Sequence, residues 1–120
     1  MRPADLAVRF VRVPVARGFR GSLPLGDALV DPHARTGVLA TIYVDRVEWL
    51  AAASGGDVAT LLGRAMAHEI GHLLLATSTH ARLGLMRAHW SRDEVRQGRR
   101  TDWAFSPPDV AAIQTRLRAR

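Results

Sequence analysis

One stretch of this 120-residue chain carries residues that could do chemistry: His68-Glu69-Ile70-Gly71-His72, set inside the apolar run AMAHEIGHLLL. On a helix, positions four apart lie one above the other, so both imidazoles can reach a single metal ion. Glu69 lies roughly a hundred degrees around the helix from His68, beside such an ion without ligating it. There it can take a proton from a water that the metal polarises. Two imidazoles and a carboxylate are not buried in apolar surroundings without partners. A zinc ion satisfies all three, which makes zinc the expected cofactor, His68 and His72 ligands and Glu69 the catalytic base.

The chain contains no cysteine. Disulfides, iron–sulfur clusters, thiolate zinc sites, cysteine nucleophiles and an inhibitory thiol switch are excluded, and any metal must be held by His, Asp or Glu. Catalytic zinc takes three protein ligands plus water, so a third is required. The residues after His72 read LLLATSTHARLGLMRAHW, with His80 and His89 as candidates and Asp93 and Glu94 beyond them. Glu94 already has a structural role, because Ser91-Arg92-Asp93-Glu94 is a capping box. Met86 stands six residues after His80, just past Gly84; a methionine near a turn is commonly core filler, and burial is expected of it.

This arrangement resembles the metzincin clan of zinc metallopeptidases, whose motif is HExxHxxGxxH followed by a methionine-containing turn. His68, Glu69 and His72 match its first half, and the resemblance makes His80 the third ligand and Met86 the methionine of the turn. Two departures stand out. The clan's turn glycine falls on Leu75 and its third ligand on Ser78, so this chain reaches a histidine two residues later. The rival is a gluzincin-like site, in which Asp93 or Glu94 supplies a carboxylate from another helix.

The resemblance implies a zinc metalloendopeptidase acting on a peptide or protein substrate, and an exported protein. It also implies that an extended substrate pairs with the strand at Val38–Val44, and Arg87 and His89 are placed to polarise its carbonyl. The alternative is a zinc-binding structural or interaction module without peptidase activity, suggested by how little chain is left to wall a cleft.

The elements that must position these residues read as α+β, strands first and helices later, in one domain spanning 1–120. Leu6 to Val13 alternates and then slips phase at Val11, which predicts a strand with a bulge. Residues 26–31 form a short strand, and Val38 to Val44, rich in β-branched residues, a better one. A short helix over 45–53 follows, and Ser54-Gly55-Gly56 breaks it. Asp57 caps the HExxH helix, which runs to about Ala76 and buries Val58, Leu61, Leu62, Ala65 and Leu73. Ser91 opens a helix that stops at Gly98. Ser106-Pro107-Pro108 opens the last, which buries Val110, Ile113 and Leu117. The whole is a minimal metzincin-like layout: a twisted N-terminal sheet, active-site helix, Met-turn and C-terminal helix.

Composition, at 48% apolar and 23% charged, is that of an ordinary globular protein. The net charge of +6 comes from seventeen arginines and no lysine, in a chain that also lacks asparagine. A GC-rich codon bias accounts for this, and the arginines are spread from Arg2 to Arg120 rather than concentrated on one element, so no nucleic-acid partner is expected. No apolar run approaches the ~20 residues of a membrane span. The N-terminus alternates apolar and basic residues and lacks the apolar core of a signal peptide.

Overall fold

A computed structural model describes residues 6–31, 33 and 36–119. Three strands, β1 (Ala7–Val11), β2 (Gly26–Asp31) and β3 (Thr36–Tyr43), form a mixed sheet in the order β1-β3-β2. β1 runs parallel to β3, and β2 runs antiparallel to it. β3 is therefore the central strand, paired on both sides. The position next to the site belongs to β2, an edge strand, and this corrects the expectation that Val38–Val44 borders the cleft. The irregularity is also displaced: the register shifts between Leu29 and Val30 of β2, while β1 pairs regularly through Val11.

Four helices follow among the described residues: α1 (Val44–Ser54), α2 (Val58–Leu75), α3 (Arg92–Gln97) and α4 (Pro107–Arg118), with a 3-10 turn at Arg100–Asp102. Their ends follow the capping chemistry. Asp57 accepts hydrogen bonds from the Thr60 amide and hydroxyl, both at 2.8 Å. Ser91 and Glu94 close a reciprocal capping box, and Ser106 accepts from the Asp109 amide. The Thr60, Glu94 and Asp109 amides so bonded are first-turn donors that the helix itself leaves unpaired.

α2 lies across β3 and β2 and also packs on α1 and α4. Ile42, Val47, Ala51, Leu61, Ala65 and Val95 form the dry centre, joining sheet, α1, α2 and α3. Leu61, Ala65 and Leu73 are buried as their spacing requires, but Val58 is 41% exposed. α4 differs more: none of its residues is buried, and Val110 and Leu117 stay largely exposed. α4 leans on α2 from outside instead of entering the core, and Arg116 ties it there by donating to the Leu74 carbonyl at 2.9 Å.

The turn that carries Met86 depends on Gly84, whose φ of +80° is a left-handed conformation. A Cβ at this position would lie 2.6 Å from the Ala104 carbonyl oxygen. That carbonyl accepts the Leu85 amide at 2.7 Å, so it is not free to retreat. Gly84→Ala is expected to cost about 2–4 kcal/mol, combining left-handed strain with overpacking. Urea denaturation would measure it, with Leu83→Ser as the neighbouring control. Leu83 is 75% exposed, and its loss should stay within about 0.5 kcal/mol. Equal small losses would show that the turn relaxes freely.

Candidate metal centre

The HExxH segment occupies the C-terminal half of α2, where His68, Glu69, Gly71, His72 and Leu73 are all buried. The two histidines sit one turn apart with Nε2 atoms separated by 3.2 Å. Their other ring nitrogens face backbone carbonyls: His68 Nδ1 is 2.7 Å from Leu85 O, and His72 Nδ1 is 2.8 Å from Thr77 O. A carbonyl only accepts, so each Nδ1 carries the proton. Both Nε2 lone pairs are therefore turned towards one another.

His80 completes the group. Its ring lies 5.4 Å from that of His68 and 4.9 Å from that of His72. One ligand nitrogen from each of the three histidines falls within 4.8 Å of the others, two buried and His80 at the exposed rim. The chain reaches this position by a tight exit from α2. Ala76 adopts a left-handed conformation (φ 50°), and the Thr77 amide returns to His72 O at 3.2 Å. The turn expected at a glycine is made by an alanine, and the same turn presents the Thr77 carbonyl to His72. These three side chains can hold a metal ion.

Met86 is 1% exposed and packs against α2 between the two ligand positions. A Cβ on Gly71 would stand 2.5 Å from the Met86 sulfur and 2.8 Å from Phe105. The interior glycine of HEIGH is thus what lets the methionine turn approach the helix, and a glycine in mid-helix was the available sign of it. Trp90, which sequence reasoning did not single out, presses on His68 with ring centroids 5.4 Å apart and is backed by Trp103 at 4.8 Å.

The other proposed ligands are elsewhere engaged. Glu94 caps α3 and pairs with Arg87, and Asp93 pairs with Arg96 on the surface. His89 borders the same cavity without joining the three histidines. Arg87, expected to address a substrate carbonyl, spends its guanidinium on the Gly84 and Asp102 carbonyls. No known family, curated protein or solved structure matches this chain. The geometry and chemistry of the site therefore carry the functional reading.

A cavity of about 680 Å³ runs past His68, Glu69, His72 and His80, between the stretch Gly21–Ala28 on one side and Ala88–Arg92 on the other. Glu69 reaches it beneath β2. A Cβ on Gly26 would lie 2.7 Å from Glu69 Cγ, so the strand admits the carboxylate only because that residue is glycine.

Burial pushes the His68 imidazole down to about 4, against the opposing pull of its bond to Leu85. It lowers His72 and His80 as well. Near neutral pH the imidazoles are unprotonated, as ligands must be. The same burial raises Glu69 from its ordinary 4.5 to about 7, with the Asp27 charge adding to it. For this one group in the metal-free protein, the folded state therefore holds a proton that the unfolded chain has lost between those two values. Its contribution to stability falls as pH rises through them, whereas the lowered histidines act in the opposite sense. Glu69→Gln removes this cost while leaving every histidine in place. The metal-free variant should match wild type near pH 4. Above pH 7 it should be more stable by about 3 kcal/mol, the equivalent of the shift. Urea melts across pH measure the difference, and a gap that does not vary with pH would dismiss the buried-carboxylate account.

Proposed function

We propose that this chain is a zinc-dependent peptidase of metzincin-like type, hydrolysing peptide bonds with Glu69 as general base. The observation that carries the reading is the pair of unprotonated Nε2 atoms 3.2 Å apart, with both Nδ1 protons committed to carbonyls. Two facing lone pairs repel unless a cation lies between them. A proton is a poor candidate at neutral pH, because burial disfavours the imidazolium. Tetrahedral zinc with bonds of ~2.0–2.1 Å to nitrogen separates its ligands by about 3.3 Å, close to the observed spacing. The carbonyls on Nδ1 are the outer partners that metal-ligating histidines ordinarily have.

His68, His72 and His80 would hold the ion, which supplies Lewis-acid polarisation of a water and of the scissile carbonyl. Glu69 accepts the proton of that water and hands it to the departing amine nitrogen. Its burial favours this role, since a desolvated carboxylate is a stronger base than a solvated one. Trp90, edge-on to the His68 ring, hinders that imidazole from turning. β2 pairs only with β3 among the described residues, so its outer edge is available for an extended peptide to add as a further strand beside the cavity. The order of sheet, motif helix, methionine turn and closing helix supports the metzincin-like assignment over the gluzincin-like one. So does the engagement of Glu94 and Asp93 with arginines.

Elemental mass spectrometry of dialysed protein tests the site, and a fluorogenic peptide library tests the reaction. About one zinc per chain is expected in wild type and in Glu69→Gln, with a large loss in His80→Ala. Turnover should drop by about 10²–10⁴-fold in Glu69→Gln although its metal is retained. Activity should decline towards acid pH as Glu69 takes up its proton and the imidazoles finally protonate; an optimum retained at pH 4 would count against the scheme. Failure to bind zinc after reconstitution would sink the reading. Zinc whose removal unfolds the protein, with no peptide cleaved, would identify the structural module instead.

A further inference from the structure

Arg87 follows Met86 and is 11% exposed, a cation taken largely out of water. Its Nη1 donates to Gly84 O at 2.8 Å and to Asp102 O at 2.7 Å, and its Nη2 lies 3.0 Å from Glu94 Oε2. The Nη2 contact is an ion pair without the alignment of a hydrogen bond, and Nε has no partner. One side chain thus stitches together the methionine turn, α3 and the 3-10 turn. A buried ion pair is a weak source of stability, because desolvation offsets much of the attraction. What this one does well is fix geometry: a planar fork reaches oxygens on three segments at once.

The segment it fixes touches the metal centre. Leu85 lies between the two turn residues Arg87 engages, Gly84 and itself, and its peptide groups work in both directions. The Leu85 amide donates to Ala104 O at 2.7 Å, while its carbonyl accepts from His68 Nδ1 at 2.7 Å. A second path runs through packing. The Arg87 guanidinium carbon is 5.6 Å from the centre of the Trp103 ring, Trp103 abuts Trp90, and Trp90 abuts His68. His72 lies outside both routes, because its outer partner is Thr77 at the end of its own helix.

We propose that Arg87 is a positioning residue for His68: by locking the methionine turn to Glu94 and Asp102 it holds the Leu85 carbonyl where it selects the tautomer and orientation of that ligand. The proposal rests on the metal-binding part of the reading above, and its first readout needs no metal. In metal-free protein labelled with ¹⁵N-histidine, the two Nδ1–H resonances are assigned with His68→Gln and His72→Gln. Arg87→Met should speed solvent exchange at His68 Nδ1–H by tenfold or more and leave His72 Nδ1–H unchanged. Competition with a chromophoric zinc chelator should then show a 10–100-fold loss of affinity, the usual consequence of removing an outer-shell contact. Arg87→Lys, which keeps the charge without the fork, should fall between, and it decides the matter on the same readouts if Arg87→Met does not fold. Equal acceleration at both histidines would reveal general loosening, and no change at either would show that the turn holds itself; both overturn the proposal. Wild type that binds no zinc, with selective exchange at His68, would sink the metal reading and leave the positioning role standing.

Discussion

Two imidazole lone pairs facing one another across 3.2 Å constitute a repulsion that the rest of the site is arranged to maintain. Left alone, either ring would rotate or take up a proton. Rotation is opposed by the Leu85 and Thr77 carbonyls, and protonation by burial, so the relief left to the pair is a cation with directional acceptor orbitals. The helix fixes the spacing of the rings along its axis, but it fixes neither tautomer nor rotation. Those come from segments outside it, the turn at Ala76 and the turn at Gly84.

Close approach is the second constraint, and glycine makes it possible on two sides of the same helix. Gly71 lets Met86 and Phe105 press against α2, and Gly26 lets β2 pass over Glu69. The carboxylate is consequently held in a slot between strand and helix, shielded enough to hold its proton up to about pH 7 in the metal-free protein. A neighbouring dication reverses that balance, since its charge favours the ionised carboxylate. Base strength and metal binding are thus linked through burial of one residue.

Much of this was legible in the sequence where local chemistry decides. Asp57, Ser91 and Ser106 cap the helices they were expected to cap, and the strand at 26–31 begins and ends as read. His80 joins His68 and His72 even though its spacing departs from the metzincin pattern, because Ala76 accepts a left-handed conformation that glycine would have advertised. What could not be read depends on pairing across the chain. Strand order made β3 central and β2 the edge, and nothing in the residues of Val38–Val44 distinguishes a central strand from a cleft border. α4 has the periodicity of a core helix but packs only along one flank, so Val110 and Leu117 stay exposed. The Leu85 and Thr77 carbonyls are backbone atoms, which no side-chain motif announces.

The Leu85 peptide has a consequence for the order of assembly. Its amide is held by Ala104, far beyond the HExxH helix, and its carbonyl is what holds His68. A nascent chain that has formed only α2 carries the motif but leaves the His68 tautomer undecided. Not until the polypeptide through Ala104 has wrapped back onto the methionine turn are both imidazoles set with their lone pairs inward. On this design any metal ion taken up by the three histidines would load late, after folding is complete, and an unfinished or unravelled chain would hold such an ion far less selectively.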